Sequence, residues 1–181
     1  MEKTFKNRTE MIESLPKNIR VAELGVFKGE FSKEIFEIMS PSDLYLIDIF
    51  NGIMGSGDKD GNNMEYINLN DHYTNLSNHF ISSPNVKLLM GTTLDQMMSF
   101  EDDYLDMVYI DASHEYMDVK NDLEISYRKV KSGGYILGHD YEPERFPGVV
   151  NAVNEFCDKY ELSIDSLSND GLPSFLIKLK K

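Results

Sequence analysis

The chain has a single cysteine, Cys157, among 181 residues, so no internal disulfide framework can staple it and a reducing compartment suits it. No apolar run approaches the ~18 residues that a membrane-spanning helix requires, so no membrane partner is expected. The opening residues, "MEKTFKNRTEMIESL", are polar and amphipathic and lack the apolar centre of a secretory signal. Basic residues are scarce: 18 Lys and Arg stand against 31 Asp and Glu, a net charge of −13 with the acids spread along the whole chain. Attraction to nucleic-acid phosphates needs clustered Lys and Arg, so no nucleic-acid partner is expected either. Two small basic clusters, Lys3, Lys6 and Arg8 at one end and Lys178, Lys180 and Lys181 at the other, read as solvated termini. There is no internal repeat and no linker long enough to divide the chain. The expectation is one cytoplasmic domain over 1–181, acting on a small uncharged or metal-complexed molecule.

What is present alternates between two periods. "IRVAEL", "DLYLIDI", "NVKLLMG", "YLDMVYID" and "GGYILGHD" read as short buried strands. Met11, Ile12 and Leu15 mark a helix stopped by Pro16, and Phe31, Ile35, Ile38 and Met39 mark another from Gly29 to Met39. Tyr116, Val119, Leu123, Tyr127 and Val130 share one helical face, as do Val149, Val153, Phe156, Cys157 and Tyr160. "LSIDSL" and "SFLIKL", parted by a turn at Gly171 and Pro173, read as a closing hairpin. The pattern predicts an α/β, three-layer, Rossmann-like fold: a mostly parallel seven-stranded sheet with a C-terminal antiparallel hairpin. An exposed edge on that hairpin would permit a homodimer. Asn51–Tyr73 is rich in Gly, Asn and Asp and long for a connection, so 51–80 reads as a lid over the site or as an inert insertion.

Ligands of such sheets bind beyond the carboxyl ends of the strands. Several polar residues fall there. In "VAELGVFKGEFS", Glu23, Gly25 and Gly29 follow the first strand with a spacing that differs from the dinucleotide fingerprint G-x-G-x-x-G. Gly25 can adopt positive φ and admit a ligand close to the backbone, although a purely structural turn uses the same residues. Asp48 ends the second strand, where an acid can accept hydrogen bonds from ribose hydroxyls. Asp111 and His114 leave the fourth strand, and His139 and Asp140 end the fifth. Two carboxylates and two imidazoles at adjacent strand ends can hold a divalent cation or pass protons; helix capping and packing are the simpler alternatives.

Together, "VAELGVFKGEFS", "LIDIF", "MVYIDASHEYMDVKNDL" and "VKSGGYILGHDY" resemble the class I S-adenosylmethionine-dependent methyltransferases. More narrowly, they resemble a small O-methyltransferase-like group with the pattern IDGxHxYxxVxxDL…LxxGGxxxxxDY. That group is related to macrolide and aminocoumarin sugar O-methyltransferases and to cephalosporin-hydroxylase-type proteins. The resemblance implies S-adenosyl-L-methionine as cofactor, held by Glu23, Leu24, Gly25, Val26, Phe27 and Gly29 around its aminoacyl end and by Asp48 at the ribose, with Asp111 also among the cofactor-binding residues. It implies Thr92 and Thr93 near the adenine, where many relatives have an acid and this chain reads "MGTTLD". Asp111, His139 and Asp140 match positions that bind Mg²⁺ or another divalent cation in metal-dependent relatives. Asp111, His114, His139 and Asp140 are the implied catalytic set, with His114 or His139 as base and a small-molecule hydroxyl as acceptor. Two other classes stay open on sequence: a nucleotide-dependent oxidoreductase, and a cofactor-binding module that acts through a partner without catalysing.

Overall fold

Five apolar segments pair side by side in the computed structural model, which describes residues 3–56 and 65–181. Strands β2 (Arg20–Leu24), β3 (Asp43–Asp48), β6 (Val86–Met90), β7 (Leu105–Ile110) and β8 (Val130–Gly138) run parallel. The closing strands β9 (Ser166–Ser168) and β10 (Phe175–Lys178) form the expected antiparallel pair, and β10 lies antiparallel against β8. The sheet has eight strands rather than seven, in the order β1-β9-β10-β8-β7-β2-β3-β6. The addition is β1 (Lys3–Phe5), parallel to β9; three residues carry too little alternation to announce a strand. It also covers the hairpin edge on which the homodimer expectation rested.

Both faces of the sheet are buried, as continuous apolar strands require. On the first face, α1 (Arg8–Glu13), α2 (Glu30–Met39) and α3 (Leu69–His79) pack over Val21, Leu44, Leu46, Met107 and Tyr109. On the second, α4 (Thr93–Met98), α5 (Tyr116–Lys129) and α6 (Pro147–Tyr160) pack over Ala22, Leu24, Ile47, Val108 and Ile110. Cys157 is a free, buried thiol within this second core. Among the described residues no helix is long and apolar enough to cross a membrane.

The segment following β3 is more structured than its composition suggests. It contains an antiparallel pair, β4 (Ile53–Ser56) and β5 (Glu65–Asn68), and then α3; residues 57–64 of the expected lid lie outside the described residues. The later part of 51–80 is a covering helix of the first core, with Leu76 and Phe80 buried. Chain order reverses at β2: β3 and β6 extend the sheet to one side, β7 and β8 to the other. The crevice at that reversal is where ligands of open α/β sheets bind.

Candidate active site

The loop after β2 is fixed by contacts that leave little choice of residue. Gly25 has φ +85°, and a Cβ there would stand 2.2 Å from the Asp111 carbonyl oxygen. Only glycine permits this approach of two strand ends. Gly29 has φ +72° and caps α2, where a Cβ would meet the Leu76 side chain at 2.2 Å. Between them, Asp48 Oδ2 accepts the N–H groups of Val26 at 2.7 Å and Phe27 at 2.8 Å, while among the described residues Oδ1 receives only a long contact from Phe50 N–H at 3.4 Å. One oxygen of the carboxylate organises the loop, and Asp48 lines a cavity.

That cavity, of about 900 Å³, runs across the ends of β8, β7, β2, β3 and β6. Its size lies in the range of small-molecule and cofactor sites. Among the expected cofactor residues Glu23, Gly25, Val26, Phe27, Asp48, Thr92, Thr93 and Asp111 line it. Leu24 and Gly29 do not: the Leu24 side chain is buried in the second core, and Gly29 packs against α3. All four residues of the expected catalytic set, Asp111, His114, His139 and Asp140, line the same cavity.

At the β7–β8 end charges crowd together. His114 Nε2 lies 2.9 Å from Asp140 Oδ2, and His139 Nδ1 lies 3.2 Å from Asp140 Oδ1 and 3.8 Å from Asp111 Oδ1. Asp140 is buried, in the left-handed region at φ +60°, and its Oδ1 has no hydrogen-bond partner although His139 Nδ1 stands 3.2 Å away. Burial alone would raise the Asp140 carboxyl, but the hydrogen bond from His114 and the proximity of His139 outweigh it and hold it well below the usual carboxylate range. The same hydrogen bond raises His114 against a smaller opposing effect of burial. Asp111 is raised, first by burial and then by the Asp140 charge, although His139 and Arg8 pull the other way. Glu23, wholly buried and hydrogen-bonded by the Ser32 hydroxyl, is pushed up to about 8 by its loss of water.

Ligand atoms of Asp111, His139 and Asp140 lie within 4.8 Å of one another. Mixed carboxylate and imidazole donors suit Mg²⁺, Mn²⁺ or Fe²⁺, and an orphaned buried oxygen is what a cation would satisfy. The residues present therefore fit a cation.

Several lining residues escape the sequence reading, Arg8 and Asp122 among them. Arg8, assigned to a solvated terminus, instead makes an ion pair with Asp111 at 3.2 Å inside the cavity. Asp122 is buried on α5, accepts a hydrogen bond from the Thr93 hydroxyl, and is pushed up to about 6 by burial, with Thr93 opposing. It supplies an acid beside Thr93 that lines the cavity, whereas Asp95 of "MGTTLD" is hydrogen-bonded by Thr92 and does not line it. The signal for it was an acid on a helix face that otherwise carries Val119 and Leu123.

A parallel sheet reversing at β2, a glycine loop after that strand and an acid ending the next define a Rossmann-like α/β fold with its ligand crevice at the reversal. Residues 22–141 match the family described as a methyltransferase domain, and the chain belongs to that family: it is an S-adenosylmethionine-dependent methyltransferase domain. Among solved structures, the O-methyltransferase NovP superposes with a TM-score of 0.69 at 20% identity, over 96% of this chain and 80% of NovP. Fibrillarin from Aeropyrum pernix, a complex with natively bound S-adenosyl-L-methionine, superposes with a TM-score of 0.65 at 13% identity, over 94% of this chain and 73% of fibrillarin. Protein R132 of Acanthamoeba polyphaga mimivirus is 42% identical over 52 residues, 28% of this chain and 24% of that protein, so this chain matches about a quarter of that relative.

Proposed function

We propose that the domain methylates a hydroxyl oxygen of a small-molecule acceptor, assisted by a divalent cation held by Asp111, His139 and Asp140. The observation that carries this reading is the convergence of those three side chains, with the partnerless Asp140 oxygen, at one end of the cavity. The glycine loop and Asp48 form the other part. Among the described residues Asp48 Oδ1 receives only the long Phe50 contact and suits ribose hydroxyls, and Asp122 with Thr93 suits the adenine end. The cofactor supplies an electrophilic methyl group on a sulfonium, and the cation would lower the pKa of the acceptor hydroxyl.

Within this frame the protein's own groups position and deprotonate. Neutral His114 donates its Nε2–H to Asp140, which leaves the Nδ1 lone pair to take the hydroxyl proton. Asp140 fixes the ring and stabilises the imidazolium that results, as an acid does behind a catalytic histidine. Phe146, whose ring centre is 4.3 Å from that of His114, holds the ring from the outside. Alignment of acceptor and methyl group supplies much of the remaining acceleration. Membership of the methyltransferase family favours this over the oxidoreductase alternative.

Calorimetric titration with S-adenosylmethionine and S-adenosylhomocysteine, with and without Mg²⁺ or Mn²⁺, tests the reading. Micromolar binding strengthened by the metal is expected. Binding indifferent to metal removes the cation from the proposal, and no binding by folded protein removes the proposal. Binding without transfer to any hydroxylated acceptor would favour the non-catalytic module.

A further inference from the structure

Two described residues bring a fixed positive charge to the cavity wall, Arg8 and Lys28. Lys28 is exposed at the rim, with its ammonium 5.3 Å from the Phe27 ring centre. Arg8 is different: its side chain is only 27% exposed, and its guanidinium carbon sits 4.1 Å above the Phe31 ring centre. Helix α1 puts it there. Asn7 caps the helix by accepting from Glu10 N–H, Arg8 is the first helical residue, and Met11 and Ile12 are fully buried beneath it. The backbone that carries Arg8 is therefore anchored, while its side chain ends in the cavity.

The observed partner is a poor match for a guanidinium. Arg8 meets Asp111 through Nη1 and Oδ2 alone, at 3.2 Å, where a planar fork can engage a carboxylate through two parallel bonds. The surrounding lining is acidic, with Glu23, Glu30, Asp48, Asp118 and Asp122. Among these acids, Arg8 is the half-buried fixed cation that a ligand carboxylate could meet, Lys28 being exposed. Position narrows the choice of ligand. Asp48 ends β3 and Asp111 follows β7, with β2 and Gly25 between them. A cofactor whose ribose lies at Asp48 extends its aminoacyl end over Gly25 toward Arg8.

We propose that Arg8 anchors the carboxylate of the cofactor's aminoacyl end, exchanging Asp111 for that carboxylate when the cofactor enters. The inference rests on the methyltransferase reading of the cavity. The exchange releases Asp111 Oδ2 from its one-point ion pair, while Oδ1 stays beside His139 at the cation site.

The test compares S-adenosylhomocysteine with its decarboxylated analogue, titrated into wild-type protein, Arg8→Gln and Arg8→Lys. Wild-type protein should prefer the carboxylate-bearing ligand by about 10- to 100-fold, the range of a charge-assisted hydrogen bond. Arg8→Gln should lose that preference while binding the decarboxylated analogue as wild type does, and Arg8→Lys should retain part of it. Equal loss of both ligands in Arg8→Gln would make Arg8 a structural residue and overturn the proposal, as would an undiminished preference. Failure of folded wild-type protein to bind either ligand would instead overturn the methyltransferase reading beneath it.

Discussion

The two ends of the cavity are built on opposite principles. At the β2–β3 end the loop is held by backbone geometry and by one carboxylate whose Oδ2 accepts two short N–H bonds. At the β7–β8 end Asp111, His114, His139 and Asp140 are packed together with a buried oxygen unpartnered. The first arrangement is complete before any ligand arrives, which suits binding. The second carries shifted acids and an unmet hydrogen-bonding demand, which suits chemistry. Substitutions at the two ends should therefore separate turnover from affinity.

The largest separation is expected at the crowded end. Asp140→Asn and His114→Gln should each lower kcat by about 10²- to 10⁴-fold, the span of positioned acid–base catalysis. S-adenosylhomocysteine affinity, measured by calorimetry, should change little. Equal losses of affinity and turnover would show that the two ends do not divide the work in this way.

At the organised end the effect is smaller and falls on binding. Asp48→Ala should weaken S-adenosylhomocysteine by about 1–3 kcal/mol if the charged hydrogen bonds to ribose form. Because Oδ2 also holds Val26 and Phe27, the melting temperature of the free protein should fall as well. Unaltered affinity would remove Asp48 from the cofactor site and leave it as a loop organiser.

Much of this division is visible in the sequence, for a physical reason. Strand ends can be located from apolar runs, and acids at strand ends of a parallel sheet must point toward its crevice, so Asp48, Asp111 and Asp140 are legible. Arg8 is not, because an arginine at the start of a short polar helix looks the same whether solvent or a buried carboxylate receives it. Its partner lies 103 residues away. Helix α3 is equally opaque: in "LNDHYTNLSNH" only Leu69 and Leu76 are buried, and its polar composition resembles a loop. Gly29 shows the converse limit. The spacing draws attention to it, and its tight approach is to Leu76 of α3.

The smallest expected effect probes the charge pair itself. His114, raised by Asp140, contributes stability that is fully present below its ordinary pKa and is lost as pH rises through its elevated folded value. Asp140, depressed by the two histidines, contributes stability that is present above the ordinary carboxylate pKa and is lost as pH falls through its depressed folded value. Both contributions coexist between about pH 4 and pH 6.5. The melting temperature of wild type should therefore exceed that of His114→Gln most within this window, and the gap should narrow above it. The His114 side chain is 46% exposed, so solvent screening keeps the gap small. A gap that is constant from pH 4 to pH 9 would mean that Asp140 holds His114 by a neutral hydrogen bond. The crowded end would then store no charge pair to be spent when the acceptor proton reaches the imidazole.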